Sequence, residues 1–132
     1  MNNNRLTTLS AEIFKNNSNL WKLDLSWNSL ANIHHEMFKI NIKLAILYLS
    51  HNKITELHQD IFKNTKLSSI FLSDNKISSL HPRIFEANKY LKNIDINNNK
   101  IDALNADMFK NNLKLENLYM NDNRIKLLHH NI

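Results

Sequence analysis

Apolar residues recur along this chain in short alternating bursts rather than in long amphipathic stretches. Leu23 and Leu25, Leu47 and Leu49, Ile70 and Leu72, Ile94 and Ile96, and Leu118 and Met120 each sit in an x-apolar-x-apolar-x run. Such alternation predicts a short strand with one face buried. Leu20, Leu44, Leu67, Leu91 and Leu115 open five units, spaced by 24, 23, 24 and 24 residues. One strand per ~24 residues cannot bury its apolar face alone, so the strands must stack in parallel around a continuous core. The expected division is a partial unit over 1–19, then units 20–43, 44–66, 67–90, 91–114 and a truncated 115–132.

Further columns appear when the units are aligned on these leucines. Position eleven is Leu6, Leu30, Ile54, Ile77, Ile101 and Ile125, and position fourteen is Leu9, Ile33, Leu57, Leu80, Leu104 and Leu128. Position nine is always asparagine: Asn4, Asn28, Asn52, Asn75, Asn99 and Asn123. An invariant amide among apolar neighbours predicts a buried ladder that bonds the backbone of its own and adjacent turns. Position nineteen is Phe14, Phe38, Phe62, Phe85 and Phe109, predicting an aromatic spine beneath the side away from the strands. The one-residue deletion falls in Lys63-Asn64-Thr65-Lys66, where a loop absorbs it.

The pattern L-x-x-L-x-L-x-x-N-x-L/I-x-x-L-x-x-x-x-F over residues 4–132 resembles the leucine-rich repeat. Its period and its Phe resemble the subtype of animal extracellular proteins and Toll-like receptors. The resemblance implies an α/β-type repeat solenoid, a horseshoe with a parallel concave β-sheet and a mostly irregular or short-helical convex side. It also implies protein recognition on the concave face, in a secreted or cell-surface receptor or adhesion protein. That subtype usually carries cysteine-rich caps, a signal peptide and often a membrane span. The chain has no cysteine, Met1-Asn2-Asn3-Asn4 does not read as a signal peptide, and no apolar run approaches the ~18 residues of a span. The array starts and stops within a repeat, which points to a piece of a longer array. An intracellular scaffold or regulatory repeat protein is the alternative that these departures permit, although such arrays more often use shorter repeats without the Phe spine.

Strand positions facing away from the core are the candidate ligand contacts. Position five is Asp24, Tyr48, Phe71, Asp95 and Tyr119, while Ile46 lies at position three and Trp27 and His51 at position eight. Adjacent strands lie ~4.8 Å apart, which predicts Tyr48 and Phe71 side by side. Clustered exposed aromatics have the composition of a binding hot spot. The same rings can instead brace one another across strands. The first three strands are expected to bind, and the Asn-rich later ones to supply a polar rim.

Two other columns offer chemistry. Position fifteen is Ser10, His34, His58, His81, Asn105 and His129, with His35 and His130 following. Imidazoles on adjacent turns could ligate a metal or titrate together. No carboxylate or thiol column completes such a site, so no metal and no cofactor are expected, and the histidines read chiefly as convex surface. Position ten is Arg5, Ser29, Lys53, Lys76, Lys100 and Arg124, and position twenty is Lys15, Lys39, Lys63, Glu86 and Lys110. Repeating cations could track a polyanion such as a glycosaminoglycan or a nucleic acid. Position seventeen, the mainly acidic column Glu12, Glu36, Asp60, Arg83 and Asp107, opposes this, and the aromatic interleaving needed for base stacking is missing.

Composition narrows the remaining classes. Zero glycine excludes the P-loop and GxGxxG phosphate cradles, and zero cysteine excludes disulfides and thiolate chemistry. Asp24 and Asp95 lie roughly 14 Å apart at ~4.8 Å per strand, beyond the ~5–9.5 Å of a glycosidase pair. No Ser–His–Asp geometry stands out, so an enzyme is not expected. Asn supplies 24 of the 132 residues. Asn tolerates left-handed backbone, which predicts turns at Asn16-Asn17 and Asn111-Asn112, whereas Asn97-Asn98-Asn99 fits neither that use nor the ladder fully. The single glycosylation acceptor, Asn16-Asn17-Ser18, is expected by chance at this Asn content.

Overall fold

The computed structural model describes residues 1–128. Five strands, β1 (Lys22–Asp24), β2 (Ile46–Tyr48), β3 (Ser69–Phe71), β4 (Asn93–Asp95) and β6 (Asn117–Tyr119), pair in parallel in that order. Register is constant: Leu23, Leu47, Ile70, Ile94 and Leu118 are aligned across the sheet. A second, two-stranded parallel sheet joins β5 (Ala103–Leu104) to β7 (Leu127–Leu128). The other side of the solenoid is turns, with one 3-10 segment at Ala106–Phe109. This is a parallel-strand β-solenoid.

The strands are three residues long because the chain turns sharply just after them. Asn3, Trp27, His51, Asp74, Asn98 and Asp122 all have φ between 52° and 58°. They occupy position eight, immediately before the asparagine column. The expected left-handed turns at Asn16-Asn17 and Asn111-Asn112 are therefore corrected, and Asn98 acquires a definite role. Left-handed backbone costs a non-glycine residue roughly 1–2 kcal/mol. The asparagine that follows holds each turn there.

Each such asparagine joins two turns. Asn52 donates through Nδ2 to the carbonyls of Leu49 and Leu25, both at 3.0 Å, while its Oδ1 accepts from the Leu30 N–H at 3.0 Å. Asn28, Asn75, Asn99 and Asn123 likewise donate within their own turn and accept from the turn before. Asn4 differs: it is exposed, and its amide reaches only the carbonyls of Met1 and Asn2.

Between the sheet and the turns lies one apolar core. Phe38, Phe62 and Phe85 are almost completely buried, and ring centroids of Phe62–Phe85 and Phe85–Phe109 are 6.1 and 6.3 Å apart. Met37, Ile61, Ile84 and Met108, one residue before each Phe, are buried beside them. A second amide column runs under the turns after each Phe. Asn41, Asn88 and Asn112 are buried and donate to carbonyls of the preceding turn, and Thr65 takes this place in the shortened unit. Core residues near the two ends, Leu6, Leu9 and Leu20 at one and Leu118, Met120 and Ile125 at the other, are only half-buried.

Candidate ligand-binding face

Strand alternation places positions three and five on the face opposite the core. On row five, Asp24, Tyr48, Phe71, Asp95 and Tyr119 are register neighbours from β1 to β6. The Tyr48 and Phe71 rings stack with centroids 4.7 Å apart and planes 6° from parallel. Lys22 Nζ lies 5.3 Å from the Tyr48 centroid, a contact the sequence reading missed; its signal was a cation two residues from Asp24 on the same face. Ile46 is half-buried beside this group.

The two carboxylates of the row also have local work. Asp24 Oδ1 accepts from the Ser26 N–H at 2.9 Å and Oδ2 from Asn2 Nδ2 at 3.0 Å. Asp95 Oδ1 accepts from the Asn97 N–H at 3.0 Å. Each thus closes the strand exit two residues on, which an aspartate does well. Row three of the later strands is a polar chain, with Asn93 donating to Ser69 Oγ and Asn117 donating to Asn93 Oδ1.

The left-handed column forms the edge of this face. The Trp27 and His51 rings stack at 3.7 Å, His51 Nε2 is 3.5 Å from Asp74 Oδ2, and Asn98 Nδ2 donates to Asp74 Oδ1 at 3.1 Å. Trp27 is 57% exposed and Tyr119 47%, so both present large apolar surface to solvent. The structure therefore groups four of the predicted residues into two stacked pairs, Tyr48–Phe71 and Trp27–His51, and ties Asp74 to His51.

The histidine column has a structural use. Nδ1 of His34, His58 and His81 accepts the backbone N–H two residues on, at 3.1–3.2 Å, as Ser10 Oγ and Asn105 Oδ1 do in their turns. These rings thus cap the convex turns. His35 stacks on His34 at 4.5 Å and tilts against His58 at 4.9 Å. Among the described residues, no group of three His, Cys, Asp or Glu side chains is arranged to hold a metal ion. His129 and His130 lie outside the described residues.

The charged columns differ in their pairing. Lys15 and Lys39 pair with Glu12 and Glu36 at 2.8 and 3.2 Å. The hydrogen bond from Lys15 holds the Glu12 carboxyl below its ordinary range, and Lys39 does the same to Glu36. Arg5, Lys53, Lys76, Lys100 and Arg124 are exposed, and none makes an ion pair among the described residues.

Comparison with known proteins agrees with this architecture. The profile of the BspA type leucine rich repeat region matches in six copies over residues 3–130. Among curated proteins, none matches the chain significantly. The Toll chain of the Drosophila Toll–Spatzle complex superposes with a TM-score of 0.90 at 27% identity, covering 96% of this chain and 19% of Toll. A leucine-rich repeat protein of Leptospira interrogans gives 0.80 at 27% identity over 92% of this chain and 30% of that one. The TLR13 chain of a complex with ssRNA13 gives 0.89 at 26% identity over 96% and 18%. This chain thus spans about a fifth of the Toll and TLR13 chains it matches. Six matching copies, a parallel sheet in constant register and an asparagine bridge between successive turns place the chain in the leucine-rich repeat family.

Proposed function

We propose that the chain is a protein-binding module that recognises its ligand on the sheet face, within a secreted or cell-surface receptor or adhesion protein. The observation carrying this reading is the Tyr48–Phe71 stack in the middle of the sheet face, with Ile46 beside it and Trp27 exposed at its edge. Stacked rings are already ordered, so a partner docking on them loses little further side-chain entropy. Asp24, Asp95, Tyr119, Ile46 and His51 surround this anchor and set orientation. Binding on a rigid surface needs no covalent step and no cofactor. The similarity to Toll, whose complex contains the protein Spatzle, supports a protein partner and an extracellular setting.

A photo-crosslinking residue at Ser69, on the sheet face, and another at Lys63, on the convex side, test the assignment in extracts of the source cells. Protein adducts are expected at position 69 and should disappear when Tyr48→Ala and Phe71→Ala are added to a still-folded chain. Equal adducts at position 63, or adducts at 69 that ignore the ring deletions, would refute it. The unpaired column of Arg5, Lys53, Lys76, Lys100 and Arg124 favours a second reading, polyanion binding. Retention on heparin beyond the salt expected for a net charge of +5 would support it.

A further inference from the structure

Charge is distributed unevenly over the molecule. The chain carries a net +5, yet on the turns of β3, β4 and β6 the sheet-face positions hold Asp74, Asp95 and Asp122 and no Lys, Arg or His. Lys92, at the edge of this region, is taken by Glu116 at 2.8 Å. Lys76, Lys100 and Arg124 make no ion pair with the three carboxylates. Asp74 is shared between His51 and Asn98, whereas Asp95 uses only Oδ1, for the Asn97 N–H. Asp95 Oδ2 accepts no hydrogen bond among the described residues.

Asp95 also sits between two rings. Phe71 and Tyr119 are its register neighbours on either side of row five. Rings on adjacent strands close on each other, as Tyr48 and Phe71 do at 4.7 Å. Rings on alternate strands start about 9.6 Å apart at ~4.8 Å per strand and leave room for a planar group above the residue between them. At the far end of the row the face of Tyr48 already holds a cation, Lys22 Nζ. The Phe71–Asp95–Tyr119 end offers the same ring chemistry with a carboxylate and no internal cation.

We propose that Phe71, Asp95 and Tyr119 form a slot for one arginine side chain of the protein partner. Its guanidinium pairs with Asp95 Oδ2 and stacks against the flanking rings, with Asp74 and Asp122 adding attraction from the edge. A planar, weakly hydrated guanidinium suits a carboxylate between aromatic faces better than an ammonium does. The inference rests on the sheet face being the protein-binding surface and assigns the chemistry of one contact there.

The test is a titration of the isotopically labelled chain with Nα-acetyl-arginine methylamide, followed by NMR. Saturable shifts are expected at residues 71, 95 and 119, weaker at high salt and absent with the norleucine analogue. Asp95→Asn keeps an acceptor for the Asn97 N–H while removing the charge, and should weaken binding at least ten-fold. Tyr119→Leu should weaken it several-fold while leaving the Asn97 turn unchanged. Shifts that do not saturate, that norleucine reproduces, or that survive Asp95→Asn would overturn the slot. Equal binding of the acetyl-lysine analogue would overturn the choice of guanidinium. Loss of the slot with position-69 crosslinking intact refutes this inference alone, whereas loss of crosslinking refutes the reading beneath it.

Discussion

Replacing Asn52 with alanine tests whether the asparagine column holds the turns together, and the structure says which groups would suffer. Three carbonyls lose a donor, but each retains another. Leu25 O keeps Asn28 Nδ2 at 3.0 Å, Leu49 O keeps Asn75 Nδ2 at 2.9 Å, and Ser50 O keeps the Trp27 N–H at 3.0 Å. The Leu30 N–H has no such reserve, because its bond to Asn52 Oδ1 is its only one and Leu30 is fully buried. An orphaned buried donor costs about 1–3 kcal/mol, and the lost amide bonds add to it, so the expected destabilisation is about 2–4 kcal/mol. Urea unfolding followed by circular dichroism gives the magnitude, and hydrogen exchange at the Leu30 amide gives the location. Asn41→Ala is the control: its Oδ1 accepts nothing among the described residues, and the Asn17 and Phe14 carbonyls it serves keep the Leu20 and Asn17 N–H groups. A cost for Asn52→Ala below about 1 kcal/mol, with Leu30 still protected, would refute the reasoning, since the orphan penalty alone should exceed it.

Other substitutions probe other parts of the turn. His81→Ala should lower the thermal midpoint by removing the acceptor for the Arg83 N–H, while His81→Asn should restore it, because Asn105 serves Asp107 in the same way. Trp27→Asn trades a strained left-handed position and an exposed stack on His51 for a residue that tolerates φ near 58°; stability should hold or rise by up to about 1 kcal/mol, and a loss beyond that in denaturant titration would contradict the strain argument. The joint change Glu12→Gln and Glu36→Gln should have its full effect above pH about 4.5, the ordinary carboxyl value, and progressively less below it. Both carboxyls are held lower in the folded chain, so what they contribute is present above that value and lost as pH falls through the lowered one. Because both pairs are solvent-exposed, thermal midpoints of variant and parent should differ little at pH 7 in 0.15 M salt and converge as pH falls below the carboxylate range.

The sequence reveals most of what repeats with a simple period. Alternation located all five strands of the main sheet, since one buried face forces every second residue to be apolar, and a fixed spacing forced the register. The turns were harder because they follow no period of two or of 3.6. Met37, Ile61, Ile84 and Met108 look like spacers beside the conspicuous Phe column, yet they are core. Asn41, Asn88 and Asn112 look like loop residues in an Asn-rich chain, yet they are buried. His34, His58 and His81 invite thoughts of metal, although the pairing of a Ser, His or Asn with an acidic residue two positions later in most units carried the signal of a cap. On the binding face the Tyr48–Phe71 pair followed from strand spacing. The link from His51 through Asp74 to Asn98 did not, because it depends on side chains leaving a left-handed turn.

That left-handed column has a consequence for how such a surface can diversify. Glycine would occupy it at the least backbone cost but would leave the edge of the face bare. This chain instead accepts roughly 1–2 kcal/mol at Trp27 and His51, and less where Asn or Asp stands. In return it displays Asn3, Trp27, His51, Asp74, Asn98 and Asp122 at one repeated geometry. Since the following asparagine fixes the path of the backbone, the side chain before it is free to change without moving the turn. Column eight therefore works like a row of interchangeable type in a rigid frame, where new specificity can be composed one letter at a time.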